Sequence, residues 1–215
     1  MHKYVMLLAP ILLCHVAMAG SPGVASQVKA LWQAQDYTAA HALLSPLVTK
    51  KTKDAELLAL LGQTEAALHN NEQAEALLEK ALKYDANNAD YQHWYATVSC
   101  NLAAGASMFS ALGYAKRCKK AYQAALELSP DNPRSYIALG SFLNQAPSIA
   151  GGDKAEALKL AQKLKQLDPL QGALLALNAS DLTDDTVFTA LLAEDELLSK
   201  RPESYLQRGV AFSRA

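Results

Sequence analysis

Apolar and small residues recur along the chain in helical i, i+3, i+4 stripes, and the stripes themselves recur. Leu58, Leu61, Leu78 and Leu82 form one stripe, with Gly62 and Ala74 as small residues within it. Ala40, Leu44 and Leu47 return as Ala74, Leu78 and Ala81, each 34 residues later. The run 81–88 returns as 125–132 after 44 residues. Leu128 and Pro130 return as Leu167 and Pro169 after 39, and Leu164 and Pro169 as Leu197 and Pro202 after 33. One helix–turn–helix unit therefore recurs five times, with about ten extra residues in the third unit and about five in the fourth. A unit of this size cannot bury its apolar face alone, so the pattern predicts stacked units sharing a continuous core.

The pattern predicts eleven helices. The pairs are 22–34 with 37–49, 54–68 with 71–83, 89–104 with 110–128, 133–144 with 152–167, and 170–178 with 184–199. A last helix at 203–213 follows Pro202 and is expected to cap the final face. Ser129-Pro130 and Asp168-Pro169 end helices, because proline has no N–H for the ladder and biases the preceding residue away from helical geometry. Gly62 with Ala74, and Gly140 with Ala157, are placed where the two helices of a pair approach closely. Gly105-Ala106-Ser107 reads as the tip of a lengthened hairpin, and the connection 145–152 as a long link bounded by helix breakers.

These repeats resemble the tetratricopeptide repeat family over nearly all of the chain after residue 19. The family's tryptophan is absent from most units, and its closing proline is Ala86 in the second. The resemblance implies an all-α, right-handed α-solenoid of about five repeats spanning residues 20–215. It further implies that the first helix of each unit lines a concave groove for a peptide or partner helix. Carried over by spacing, the groove positions are Glu56 and Gln63, then Asp90, His93, Thr97 and Asn101, then Arg134, Ile137, Ser141 and Asn144. The lysine–asparagine clamp of chaperone-binding relatives is not matched. In layout the chain is similar to exported bacterial proteins of this family, many of which are adaptors in the cell envelope.

Composition narrows the functional classes. The chain has 215 residues, 51 % hydrophobic and 7 % aromatic, with a formal charge of −1. That balance suits an alanine- and leucine-rich solenoid and gives no basic surface for neutralising phosphates, so nucleic acid is not an expected partner. Residues 1–19 read as a signal peptide. Lys3 precedes an apolar stretch from Tyr4 to Val16, and Ala17-Met18-Ala19 forms a small-x-small cleavage pattern before Gly20. The stretch is shorter than the ~20 residues of a membrane span, so the expected location is periplasmic or secreted, without a transmembrane segment in the mature chain. Leu13 before Cys14 disfavours lipid attachment.

Export bears on Cys100 and Cys118, which flank the longest insertion. An oxidising compartment permits a bridge between them. The reading preferred from sequence is two buried thiols, since free cysteine commonly packs as a small apolar residue.

Candidate chemistry is sparse. Gly151-Gly152-Asp153-Lys154 lacks the earlier glycine and preceding strand of a phosphate loop, and reads as a flexible helix entry. His41, His69 and His93 share no metal-ligand spacing, and Asp181, Asp184 and Asp185 lack the ligand pattern of a calcium loop. No cofactor, metal or catalytic residue is expected. Three readings remain open: a non-catalytic protein- or peptide-binding scaffold, an enzyme or enzyme subunit with a site in the insertions 105–110 and 145–152, and an architectural part of an envelope complex.

Overall fold

The computed structural model describes residues 22–214; the expected signal peptide and its cleavage point lie outside them. Twelve α-helices follow one another among the described residues. They are α1 (Pro22–Gln33), α2 (Tyr37–Leu44), α3 (Ala55–Ala67), α4 (Asn71–Tyr84), α5 (Ala89–Gly105) and α6 (Met108–Leu128). The second half holds α7 (Pro133–Gln145), α8 (Lys154–Leu167), α9 (Pro169–Ala179), α10 (Asp185–Glu194), α11 (Glu196–Ser199) and α12 (Pro202–Arg214). From α1 to α9 each helix packs mainly on the helices before and after it in sequence, while α11 and α12 fold back onto α9, and the chain is an all-α solenoid.

Helix starts follow short polar side chains that accept an orphan backbone N–H. Asp36, Asp54, Asn88, Asn132, Asp153, Asp168 and Asp184 all do this. The first two hairpins close by the same geometry. Gln35 has φ 57° and His69 has φ 65°. Asp36 N–H donates to Leu31 and Gln35 N–H to Trp32, while Asn70 N–H donates to Glu65 and His69 N–H to Ala66. This is the Schellman arrangement, used twice at positions 34 apart.

The core is distributed along the solenoid. Val28, Leu44 and Leu61 belong to one buried cluster, Leu58, Leu78 and Val98 to the next, Leu139, Leu143 and Leu164 to a third, and Leu177, Phe188 and Leu198 to a fourth. Trp32 ties the first unit to the second by donating its indole N–H to Thr64 Oγ1 at 3.1 Å. Buried Glu65 meets His41 at 3.2 Å and accepts from Asn70 at 2.8 Å.

Several expectations need correction. Cys100 and Cys118 are joined by a disulfide, with Cα atoms 5.3 Å apart, rather than being two thiols. The inserted residues do not form a loop. They lengthen α5 to 17 residues and α6 to 21, leaving only Ala106 and Ser107 between them, and the longer overlap brings the two cysteines opposite each other.

Gly62 does face its partner helix: a Cβ there would lie 2.8 Å from Leu78 Cγ. Gly140 instead faces the following unit, where a Cβ would lie 2.5 Å from Leu175 Cδ2 and 2.9 Å from its Cδ1 on α9. The helix expected at 37–49 ends at Leu44 and continues as a 3-10 turn, Ser45–Leu47, around Pro46. The helix expected at 184–199 breaks at Asp195, whose carboxylate pairs with Lys165 of α8 at 2.8 Å.

The connection before α8 is a bonded turn rather than a slack entry. Asp153 N–H donates to Leu143 O at 2.8 Å and Gly152 N–H to Pro147 O at 3.1 Å. Gly151 adopts φ 99°, and a Cβ on Gly152 would run into the Ala146 carbonyl.

Candidate functional site

The first helices of the third and fourth units, α5 and α7, carry most of the residues expected to line a groove. The structure divides them. His93 is buried at 9 % exposure, against Tyr122 with ring centroids 5.4 Å apart, so it does not present its ring to a ligand. Burial lowers its pKa to about 4; the nearby Arg134 charge acts the same way, and Asp90 partly opposes both. Its Nδ1 is buried without a hydrogen-bond partner among the described residues, as suits a neutral ring. Thr97 is committed inward too: its hydroxyl donates to His93 O at 3.0 Å and lies 3.1 Å from Tyr122 Oη. Burial raises the Tyr122 pKa, against smaller opposing effects of the Thr97 hydrogen bond and Arg134.

Asn101 is exposed but turns toward α4, donating to Asn71 Oδ1 at 3.3 Å. Arg134 spans the two units at the surface, 3.8 Å from Asp90 and 5.5 Å above the Trp94 ring. Gln63 is half-buried on α3, two units from α7. None of these five lines the cleft that holds Ser141 and Asn144.

Ser141 and Asn144 do share a site. Together with Gln145 of α7 they line a cleft of about 950 Å³ whose far walls are α9 and α12. Asn178 near the end of α9, Asp181, Leu182 and Thr183 in the following link, Leu206, Gln207 and Val210 of α12, and Lys154 at the start of α8 also line it. Three features position the walls. Gly140 allows α7 to approach Leu175 closely. Asp184 caps α10 and accepts from the Thr186 hydroxyl and from the Thr186 and Val187 amides, bonds that lower its pKa. On α12, Arg208 pairs with Asp185 and lies 4.5 Å above the Phe188 ring, while Ser204 donates to Leu198 O at 2.9 Å. α12 therefore covers Phe188 as a cap and also forms a cleft wall.

Four amide side chains, Asn144, Gln145, Asn178 and Gln207, offer both donors and acceptors to this cleft. Gln207 Oε1 is buried without a hydrogen-bond partner among the described residues. Reading the sequence missed Asn178 and Gln207. An asparagine near the end of successive first helices, Asn101, Asn144 and then Asn178, was a usable signal for the former. Nothing in the sequence marks Gln207.

The two insertions meet in space. The tip of the α5–α6 hairpin and the 3-10 turn Ser148–Ala150 border an apolar cavity of about 720 Å³ adjoining the cleft. Among the described residues, no group of three or more histidines, cysteines or carboxylates sits together as metal ligands, and no helix is long and apolar enough to cross a membrane.

Comparison with known proteins agrees with this architecture. Residues 31–96 match a tetratricopeptide repeat family model. Among solved structures, the chain is similar to MamA from Desulfovibrio magneticus RS-1, with TM-score 0.62, 17 % identity, and 83 % of this chain covering 95 % of that one. It is also similar to TTC0263, a thermophilic tetratricopeptide repeat protein of Thermus thermophilus, with TM-score 0.61, 15 % identity and coverages of 88 % and 97 %. An O-GlcNAc transferase mutant from Thermobaculum terrenum aligns with TM-score 0.57 and 25 % identity over 69 % of this chain, but only 26 % of its own length. No curated protein matches the chain at significant sequence similarity.

Proposed function

We propose that this chain, which matches a tetratricopeptide repeat model over residues 31–96 and shares the fold of tetratricopeptide repeat proteins, binds an extended segment of a partner protein in the cleft between α7, α9 and α12. The observation that carries this reading is the lining of that cleft. Four amide side chains stand there with apolar side chains such as Leu206 and Val210, and with Lys154 and Asp181 as the charged members of the lining. An extended peptide presents a backbone donor and acceptor at nearly every residue, and amide side chains match both. Binding there requires no chemistry, and the apolar lining where the insertions meet supports a scaffold rather than an acid–base catalyst.

The proposed location is the bacterial envelope, periplasmic or secreted, following cleavage between Ala19 and Gly20. The apolar leader with its small-residue cleavage pattern supports this. A disulfide between Cys100 and Cys118 supports it independently, since structural bridges persist in oxidising compartments. Intact-mass measurement of exported protein tests the cleavage.

The cleft is tested by affinity capture from envelope fractions with the wild-type chain, Asn178→Trp and Arg134→Ala. A partner retained by Arg134→Ala and lost from Asn178→Trp, at unchanged melting temperature, is the expected result. Equal capture by Asn178→Trp would place the partner elsewhere.

A further inference from the structure

The cavity between the third and fourth units differs in kind from the neighbouring cleft. Leu112, Ala115, Ala138, Phe142 and Ile149 dominate its lining, and the Cys100–Cys118 bridge forms part of one wall. Among the described residues, no lysine, arginine, aspartate, glutamate or histidine lines it. Its volume of about 720 Å³ falls within the roughly 300–1,000 Å³ of small-ligand sites. Ser141 and Gln145 are its polar side chains apart from Tyr122, whose hydroxyl is already engaged with Thr97. A peptide threaded here would bring several amide groups into a space offering few partners, and each unpaired group costs free energy. A hydrocarbon chain brings none.

The outer side of the same wall is cationic. Ile149 and Ala150 line both the cavity and an adjacent depression formed with Lys116, Lys119 and Lys120. Lys119 is occupied, donating to Gly151 O at 3.1 Å and pairing with Glu156 at 3.4 Å. Lys116 and Lys120 are exposed and have no carboxylate partner among the described residues. Met108 and Ile149, which border the cavity, are themselves 78 % and 76 % exposed.

From this pairing of an uncharged apolar cavity with unpartnered lysines beside it, we propose that the cavity holds the tail of a single-chain anionic amphiphile, a long-chain fatty acid, with its carboxylate toward Lys116 and Lys120. The site is distinct from the peptide cleft, although Ser141 and Gln145 border both.

The test is fluorescence titration of the purified protein with cis-parinarate, followed by displacement with oleate and with oleyl alcohol. Saturable binding, reversed by oleate, is expected. Ala104→Trp places an indole into the cavity from an exposed position and should weaken oleate binding at least about tenfold without lowering the melting temperature. Met108→Glu serves as a second blocking variant at the exposed rim, where its charge repels the carboxylate. Lys116→Glu with Lys120→Glu should weaken oleate several-fold and leave oleyl alcohol unchanged. No saturable parinarate binding would overturn the proposal, as would undiminished oleate affinity in both blocking variants. Displacement by a soluble leucine-rich peptide at lower concentration than oleate would also overturn it, by assigning the cavity to a protein segment. None of these readouts depends on partner capture at Asn178, so either reading can fail alone.

Discussion

The hairpins α3–α4 and α5–α6 are neighbours built on the same unit, but they hold together differently. In α3–α4, Gly62 sits against Leu78 and the Ala74 carbonyl, Leu58 and Leu78 are fully buried, and the turn is a single Schellman closure at His69. In α5–α6 both helices run on past their neighbours. The exposed residues there include Met108 and Phe109, at 78 % and 89 %, and a covalent bridge joins the two helices. Where the 34-residue period is kept, each unit finds a flat partner surface on both sides and packing suffices. Where the period is exceeded, the added turns are covered only in part, by the turn Ser148–Ala150 of the next unit, so Met108 and Phe109 stay exposed and the outer end of the hairpin is available for binding.

The largest effect expected from this contrast belongs to the tightly packed hairpin. Gly62→Leu should destabilise by about 3 kcal/mol or more, because its Cβ alone conflicts with Leu78 Cγ at 2.8 Å and the Ala74 carbonyl at 3.3 Å. Gly140→Leu should cost less, since it meets the branched end of Leu175 rather than backbone. A thermal melt showing the two variants equal, or both near wild type, would break the contrast.

Cys100→Ala with Cys118→Ala should come next, at about 3 kcal/mol for a closed loop with separation 18. Hydrogen exchange should localise the loss to α5 and α6 and leave α3 and α4 protected. Uniform loosening would show that the bridge serves the whole solenoid.

His93 of α5 packs inside the longer hairpin, against Tyr122 of α6, and sharpens the comparison through pH. Its folded pKa of about 4 is below the unfolded value near 6.5, so the unfolded chain binds the extra proton over that window. Stability should therefore fall as the pH drops from about 6.5 to about 4, by up to about 3 kcal/mol, and then show no further loss from this group. Arg134 and Asp90 contribute in opposite directions, so Arg134→Ala should reduce the slope slightly. His93→Gln should flatten it when denaturant midpoints are measured across that range.

Smaller still, His69→Gly should stabilise by about 0.5 kcal/mol by relieving a left-handed non-glycine residue, net of the entropy glycine adds to the unfolded chain. At the other hairpin's tip, Phe109→Ser should change stability by no more than about 0.5 kcal/mol, because the ring is 89 % exposed. A clear loss of stability there would mean the ring is covered in solution.

The helical repeat was legible because period and stripe together identify the apolar face of each helix. Gly62 facing α4 follows from that alone. Gly140 shows the boundary of such reasoning. A first helix in a solenoid has a partner within its unit and another in the next, and the stripe does not say which of the two a small residue meets. The cysteines were misread for a related reason. Ten extra residues can make a loop or extend two helices, and only the second outcome brings Cys100 level with Cys118. Of the groove positions carried over from the family pattern, His93 and Thr97 are polar residues whose partners, Tyr122 above all, come from a different helix and leave no trace in spacing. Ser141 and Asn144 were identifiable by position, but the opposite wall comes from α12, which follows the last repeat and has no equivalent in the other units.

The matching closures at Gln35 and His69 carry one more implication. Each hands the chain from one helix to the next in the same direction, although glutamine and histidine share no chemistry that would demand it. The segment 36–69 is thereby a cassette with compatible ends. A second copy inserted after His69 should extend the rod by one repeat and leave the downstream units intact. The same operation on the segment closed by Cys100 and Cys118 would duplicate a ring rather than a link, and the two copies would have four thiols to sort among themselves.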